Sequence, residues 1–144
     1  MDPLATVRAF NRFYTRLVGA LDPRFLGTDL TLAEARLLFE IAHADRPLAS
    51  DLLGPLGMDA GFGSRVLRRF EARGWITRDR GAEDGRQRPI SLTPEGRAAF
   101  ADLDRRQRDA VVGLIDSIAP EARADLVAAL GTAQALLAAP SRRP

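Results

Sequence analysis

The period of the apolar residues changes twice along this chain, which constrains its fold more than any single motif. Up to Arg73 the period is helical; after Gly74 it becomes that of two short strands; at Thr93 it turns helical again. In the first stretch Leu4, Val7, Asn11, Tyr14, Val18 and Leu21 recur at spacings of three and four. Phe10, Phe13 and Leu17 widen this stripe, and Arg8, Arg12 and Arg16 form the opposite, wet row. A first helix is expected over 3–21, ended by Asp22-Pro23. Thr31-Leu-Ala-Glu34 has the spacing of a capping box and predicts a second helix with Leu37, Leu38 and Ile41 in the core, closed by Asp45-Arg46-Pro47. A short helix at about 48–54 stops at Gly54-Pro55, and Asp59 caps another that runs to Arg73. Two such helices about a tight glycine turn form a helix-turn-helix candidate.

Trp75–Arg78 and Pro89–Leu92 then read as strands around the polar loop 79–88, a hairpin with a long charged tip. Thr93-Pro94 restarts a helix to about Ser117, and Pro120 opens the last, which carries Leu126, Leu130, Leu136 and Leu137. The predicted fold class is mainly α: a winged helix-turn-helix with a two-stranded wing, flanked by N- and C-terminal helices. It is read as one domain over 1–144, with the winged lobe at 29–100 and helical dimerisation regions at 3–21 and 101–139. A basic head with apolar helices outside it needs a second copy to bury them, so a homodimer is expected.

Composition removes most enzyme chemistry. The 144 residues include no cysteine and one histidine, His43, so thiolate chemistry and cysteine-ligated zinc are excluded and no metal site is expected. All 21 basic residues are arginine, which rules out a Schiff-base lysine and a phosphate-binding loop. No serine sits in a strand-to-helix elbow near His43, and no enzyme activity or cofactor is predicted. The net charge is only +2, and an arginine-only chain with 24 alanines reads as the product of a GC-rich genome. Local charge says more: segments 1–28, 29–60, 61–100 and 101–144 balance at +2, −4, +4 and 0, so the excess lies across the helix-turn-helix and hairpin. No segment reaches 18 apolar residues and no leader precedes the first helix; a cytoplasmic protein with no membrane partner is expected.

On the helix after Asp59, at 100° per residue, Phe62, Val66, Leu67 and Phe70 share one arc. Gly61, Ser64, Arg65 and Arg68 take the opposite arc, with Arg69 and Arg73 at its flank. Arginines on an exposed arc near a helix N-terminus suit the major groove of double-stranded DNA, where a guanidinium spans guanine O6 and N7. The hairpin brings Arg78, Arg80, Arg86 and Arg88 along its sides and tip, as a narrow minor groove favours. Either element alone could be a solvated charged surface; the two together favour DNA.

These residues resemble the MarR family of bacterial transcription regulators. The resemblance runs from Thr31 to Gly96, through LTLAEARLLFEI, SRVLRRFEARGWITR and DGRQRPISLTPEG, the last being the most specific. There the family's Asp-x-Arg and Leu-Thr-x-x-Gly fall on Asp84, Arg86, Leu92, Thr93 and Gly96. The resemblance implies that Arg86 enters the minor groove, that Asp84 braces an arginine, and that Ser64 and Arg65 belong to the recognition helix. It also implies an obligate homodimer of first and last helices on a pseudo-palindromic operator. The family usually has a larger side chain where this chain has Gly63, and Gly61 and Gly63 together leave two readings: close approach to the DNA backbone, or a softer turn. Pro55 shortens the supporting helix and predicts a less rigid head.

The resemblance further implies a small aromatic or anionic effector between dimer helices and head, with Phe13, Tyr14, Arg16 and His43 as lining residues. The plainer reading, and the favoured one, makes Phe13 and Tyr14 dimer core, Arg16 solvated and His43 a helix end. The leading expectation is a sequence-specific DNA-binding regulator, a repressor released by its ligand. VRAFNRFYTRLVG is also similar to the regulator half of proteins in which a MarR-like domain precedes an acetyltransferase, though none follows before Pro144. The alternative is thus a regulator or interaction module of such a system, acting through protein contacts. A helical interaction module whose head has lost DNA binding is a third reading.

Overall fold

Each helix begins where a side chain or a proline settles its first turn. In the computed structural model, which describes residues 1–79 and 88–139, α1 (Pro3–Leu17) starts on Asp2, whose carboxylate accepts the Leu4 N–H at 3.0 Å. Helix α2 (Leu32–His43) starts on a complete capping box: Thr31 Oγ1 accepts from Glu34 N at 3.2 Å, and Glu34 Oε1 accepts from Thr31 N at 3.0 Å. The five-residue α3 (Ala49–Leu53) and α4 (Ala60–Ala72) flank a turn in which Gly57 takes φ +61° and Met58 N–H bonds to Leu53 O at 3.0 Å. Asp59 caps α4 by accepting the Phe62 N–H at 3.0 Å. Prolines open α5 (Pro94–Asp116) and α6 (Pro120–Ala138).

Strands β1 (Ile76–Arg78) and β2 (Ile90–Leu92) pair antiparallel, Ile76 with Leu92 and Arg78 with Ile90. Expected boundaries shift at α1 and at both strands, β2 starting at Ile90 rather than Pro89. Helix α1 stops at Leu17 rather than 21, because the chain reverses through Gly19 at φ +67°. Trp75 lies outside β1 because its N–H goes back to Phe70 O (2.9 Å) while its carbonyl accepts from Thr93 N (2.9 Å).

Residues 1–106 and 107–144 form two compact units, with α5 running through the boundary. The core of the first is built by Leu37, Leu38 and Ile41 of α2, Leu52 and Leu53 of α3, Val66, Leu67 and Phe70 of α4, Ile76 and Ile90 of the strands, and Leu103 of α5. The α2–α3 loop adds a rung to the sheet, Pro47 O accepting from Ile90 N at 2.8 Å. Arg106 ties α5 to the 3-10 turn Phe25–Gly27 by donating to Leu26 O at 3.0 Å. In the second unit Arg123 donates to Ile118 O at 3.2 Å across the α5–α6 turn, and no residue of α6 is buried.

The start of α5 is pinned to the start of β1. Thr93 Oγ1 donates to Gly74 O (2.5 Å) and accepts from Gly96 N (3.0 Å). A Cβ on Gly96 would stand 2.0 Å from Trp75 O, a backbone atom with no room to move. Gly96→Ala is therefore expected to destabilise the protein by about 3 kcal/mol despite alanine's better helix propensity. Urea unfolding checks this; a loss under about 0.5 kcal/mol would contradict the close approach.

Candidate nucleic-acid interface

Helix α4 is divided as its sequence predicts. Val66, Leu67 and Phe70 are buried and Phe62 is half-buried, while Gly61, Arg65, Arg68 and Arg69 are exposed and Ser64 is half-buried. Gly63 does not face outward for a close approach to DNA: it is buried against α3, where an added Cβ would lie 2.4 Å from Leu53 Cδ2. The glycine lets the short supporting helix approach α4 closely. Gly61 instead faces out, and a Cβ there would come within 3.2 Å of Asp59 Oδ2 and 3.4 Å of Arg65 Nη1.

The arginines of this helix fall into two sets. Among the described residues Arg65 and Arg68 have no acidic partner; Arg68 Nε donates weakly to Ser64 O at 3.4 Å, within its own helix. Arg69, grouped with them by sequence, is ion-paired at 2.8 Å to Glu34 of α2, a buried carboxylate 6% exposed. Arg73 makes a two-bond contact with Asp29 (3.1 and 2.6 Å), and its guanidinium lies 4.7 Å above the Trp75 ring.

At the hairpin base Arg78 and Arg88 are half-buried side by side, Arg88 Nη2 donating to Arg78 O at 3.4 Å. The Nε atoms of both are buried with no hydrogen-bond partner among the described residues. Arg46 reaches Asp79 at 2.6 Å, linking the α2–α3 loop to the end of β1. Arg80, Asp84 and Arg86 lie outside the described residues.

Of the four residues expected around an effector, three lie on α1 and the fourth ends α2. Phe13 and Tyr14 are 59% and 46% exposed on α1, each with its ring against Phe10. Arg16 lines a hollow beside α1 together with Asn11, Arg12, Thr15, Gly19, Leu21 and Asp22. His43 is the last residue of α2; its ring stacks on Phe39 at 4.1 Å, meets the edge of Phe100, and its Nδ1 lies 2.8 Å from Phe39 O. Among the described residues no cluster of His, Cys, Asp or Glu could hold a metal ion, and no helix is long and apolar enough to cross a membrane.

Sequence reasoning missed Asp29, Arg46 and the second role of Glu34. The capping box identified Glu34, but its partner lies beyond local reach in the chain, and periodicity carries no signal for that pairing. The hydrogen bond from Arg73 holds the Asp29 carboxyl below its ordinary value, so the pair's contribution is present above the unfolded carboxylate range and lost as pH falls through the lowered value. The pair is largely exposed, and about 0.5 kcal/mol at low salt is expected. Urea unfolding of Asp29→Asn should show a deficit of that size at pH 7 that vanishes on acidification. A deficit independent of pH would assign it to something other than the ion pair.

Residues 28–87 match the MarR family model. The chain is 26% identical over 100 residues to the uncharacterized HTH-type transcriptional regulator YdgJ of Bacillus subtilis (strain 168), a match covering 69% of this chain and 61% of that protein's length. Its fold is similar to that of Streptococcus pneumoniae FabT in complex with DNA (TM-score 0.73, 21% identity, 94% of this chain and 97% of that one). It is similar also to wild-type apo MarR from E. coli (TM-score 0.69, 24% identity, 92% and 97%) and to the S. aureus MepR–DNA complex (0.70, 19%, 92% and 97%). The chain thus folds as a winged helix, a two-stranded wing following its helix-turn-helix, and that helix-turn-helix lies within the stretch that matches the MarR family model.

Proposed function

We propose that the protein is a homodimeric, sequence-specific DNA-binding regulator of transcription in the cytoplasm. The observation that carries this reading is α4: its inner face is sealed into the core while Ser64, Arg65 and Arg68 stand on the outer face, the two arginines without acidic partners among the described residues. Such a helix offers base-reading guanidinium groups on a rigid mount, as the major groove requires. The DNA complexes of FabT and MepR, which share the fold, support the same use here.

The apolar surface supports the dimer. Helix α1 has no buried residue, yet Leu4, Val7, Phe10, Phe13, Tyr14 and Leu17 are all about half exposed or more. Val111, Val112, Val127, Leu130, Leu136 and Leu137 of α5 and α6 are likewise uncovered. Exposed apolar area on this scale calls for a partner, and a second copy of the chain supplies the same surfaces by symmetry. Two heads then read two half-sites about one helical turn, roughly 10 base pairs, apart. We read the regulator as a repressor released by a small anionic effector, for which Arg12, Arg16, Asn11 and Thr15 around the hollow beside α1 supply cationic and hydrogen-bonding groups.

Arg65→Ala and Arg68→Ala test the reading. For each that touches a base, specific affinity should fall by about 1–3 kcal/mol and preference relax at the position it reads. Arg86→Ala should weaken binding without altering the fold. Titrations against duplexes selected from sheared genomic DNA measure these effects; unchanged affinity in all three variants would contradict the proposed function.

A further inference from the structure

Of the three arginines of α4 and Arg73 at its C-cap, two are held by acids and two are not, and the acids come from one short segment. Residues 29–34, which lead into α2, put Asp29 on Arg73 and Glu34 on Arg69. Glu34 is the deeper of the two acids. One of its oxygens accepts the Thr31 N–H at 3.0 Å and the other meets Arg69 at 2.8 Å, so both oxygens of a buried carboxylate are satisfied. Burying such a group is costly unless it is paired and hydrogen-bonded, which ties Arg69 to this place. Arg65 precedes Arg69 by one turn of the same row, so whatever fixes α4 at Arg69 also fixes the direction in which Arg65 and Arg68 stand.

Resting on the proposed DNA-binding function, we infer that Glu34 is a positioning residue for DNA recognition: by bridging the start of α2 and Arg69 it withholds Arg69 from phosphate and sets the rotation of α4 that presents Arg65 and Arg68. The sign of the effect separates this from simple electrostatics. Removing a negative charge near a polyanion should tighten binding. A positioning role makes the same change weaken it, and only on the preferred sequence.

The test compares two probes: a duplex selected by the wild-type protein from a random-sequence pool, and a random-sequence duplex. Glu34→Gln keeps an oxygen for Thr31 N–H but loses the charge that holds Arg69. It should bind the selected duplex about tenfold more weakly, with no loss on the random duplex and no reduction in salt slope. Arg69→Met should behave the same way, the double variant should be no worse than either single one, and Arg69→Lys should recover most of the loss. Arg69→Met also keeps the test decisive if Glu34→Gln does not fold. Wild-type or tighter binding by Glu34→Gln would overturn the inference. So would an equal loss on both duplexes for Arg69→Met with the salt slope lowered by about one, the mark of a phosphate contact. A wild-type protein that selects no sequence would remove the proposed function itself, and the inference with it.

Discussion

Helix α5 can begin where it does only because residue 96 has no side chain. Its first turn lies against the carbonyl of Trp75, and Thr93 bonds to both Gly74 O and Gly96 N across the junction. Trp75 in turn bonds through its N–H to Phe70 of α4. A continuous path of backbone hydrogen bonds thus runs from the end of α4 through the hairpin base to α5. The hairpin base cannot turn relative to α4 without breaking it, and the rung from Pro47 O to Ile90 N fixes the sheet from its other side. The five-residue α3 lies against α4 through Leu53, for which Gly63 leaves room.

On that frame, acids decide which arginines remain available. Segment 29–60 carries the acidic excess of the chain and segment 61–100 the basic excess. Two of the acids from the former, Asp29 and Glu34, pair with Arg73 and Arg69, and a basic residue, Arg46, reaches back to Asp79. The balance of charge between the segments therefore expresses pairing in part. What stays outward on α4 is a small set near its N-terminal half, where the helix dipole also favours phosphate.

The order of elements was legible in the sequence because each boundary has a local chemical cause. Thr31 with Glu34, Asp59, Thr93-Pro94 and Pro120 begin their helices in the structure as the sequence predicts. The inward arc of α4 was legible for the same reason, since helical geometry alone sorts Val66, Leu67 and Phe70 from Arg65 and Arg68. Long-range pairings were not: Arg69 with Glu34 and Arg73 with Asp29 join residues far apart in the chain, and periodicity treats every arginine on an arc alike. The contact of Gly63 with Leu53 was not legible either, because it lies across a turn whose geometry the sequence does not specify. The reversal at Gly19, which shortens α1, carries only the weak signal of a glycine near a helix end.

In the proposed function the outer face of α4 enters the major groove of two half-sites at once. The chain has no cysteine, so Ser64→Cys creates a single thiol on that face, to which a DNA-cleaving iron chelate can be attached. Bound to a duplex selected by the wild-type protein, the conjugate should cut at two symmetric positions about one helical turn apart, roughly 10 base pairs, in the pattern of major-groove attack. Cleavage scattered along the duplex, or confined to one minor-groove position, would contradict the account.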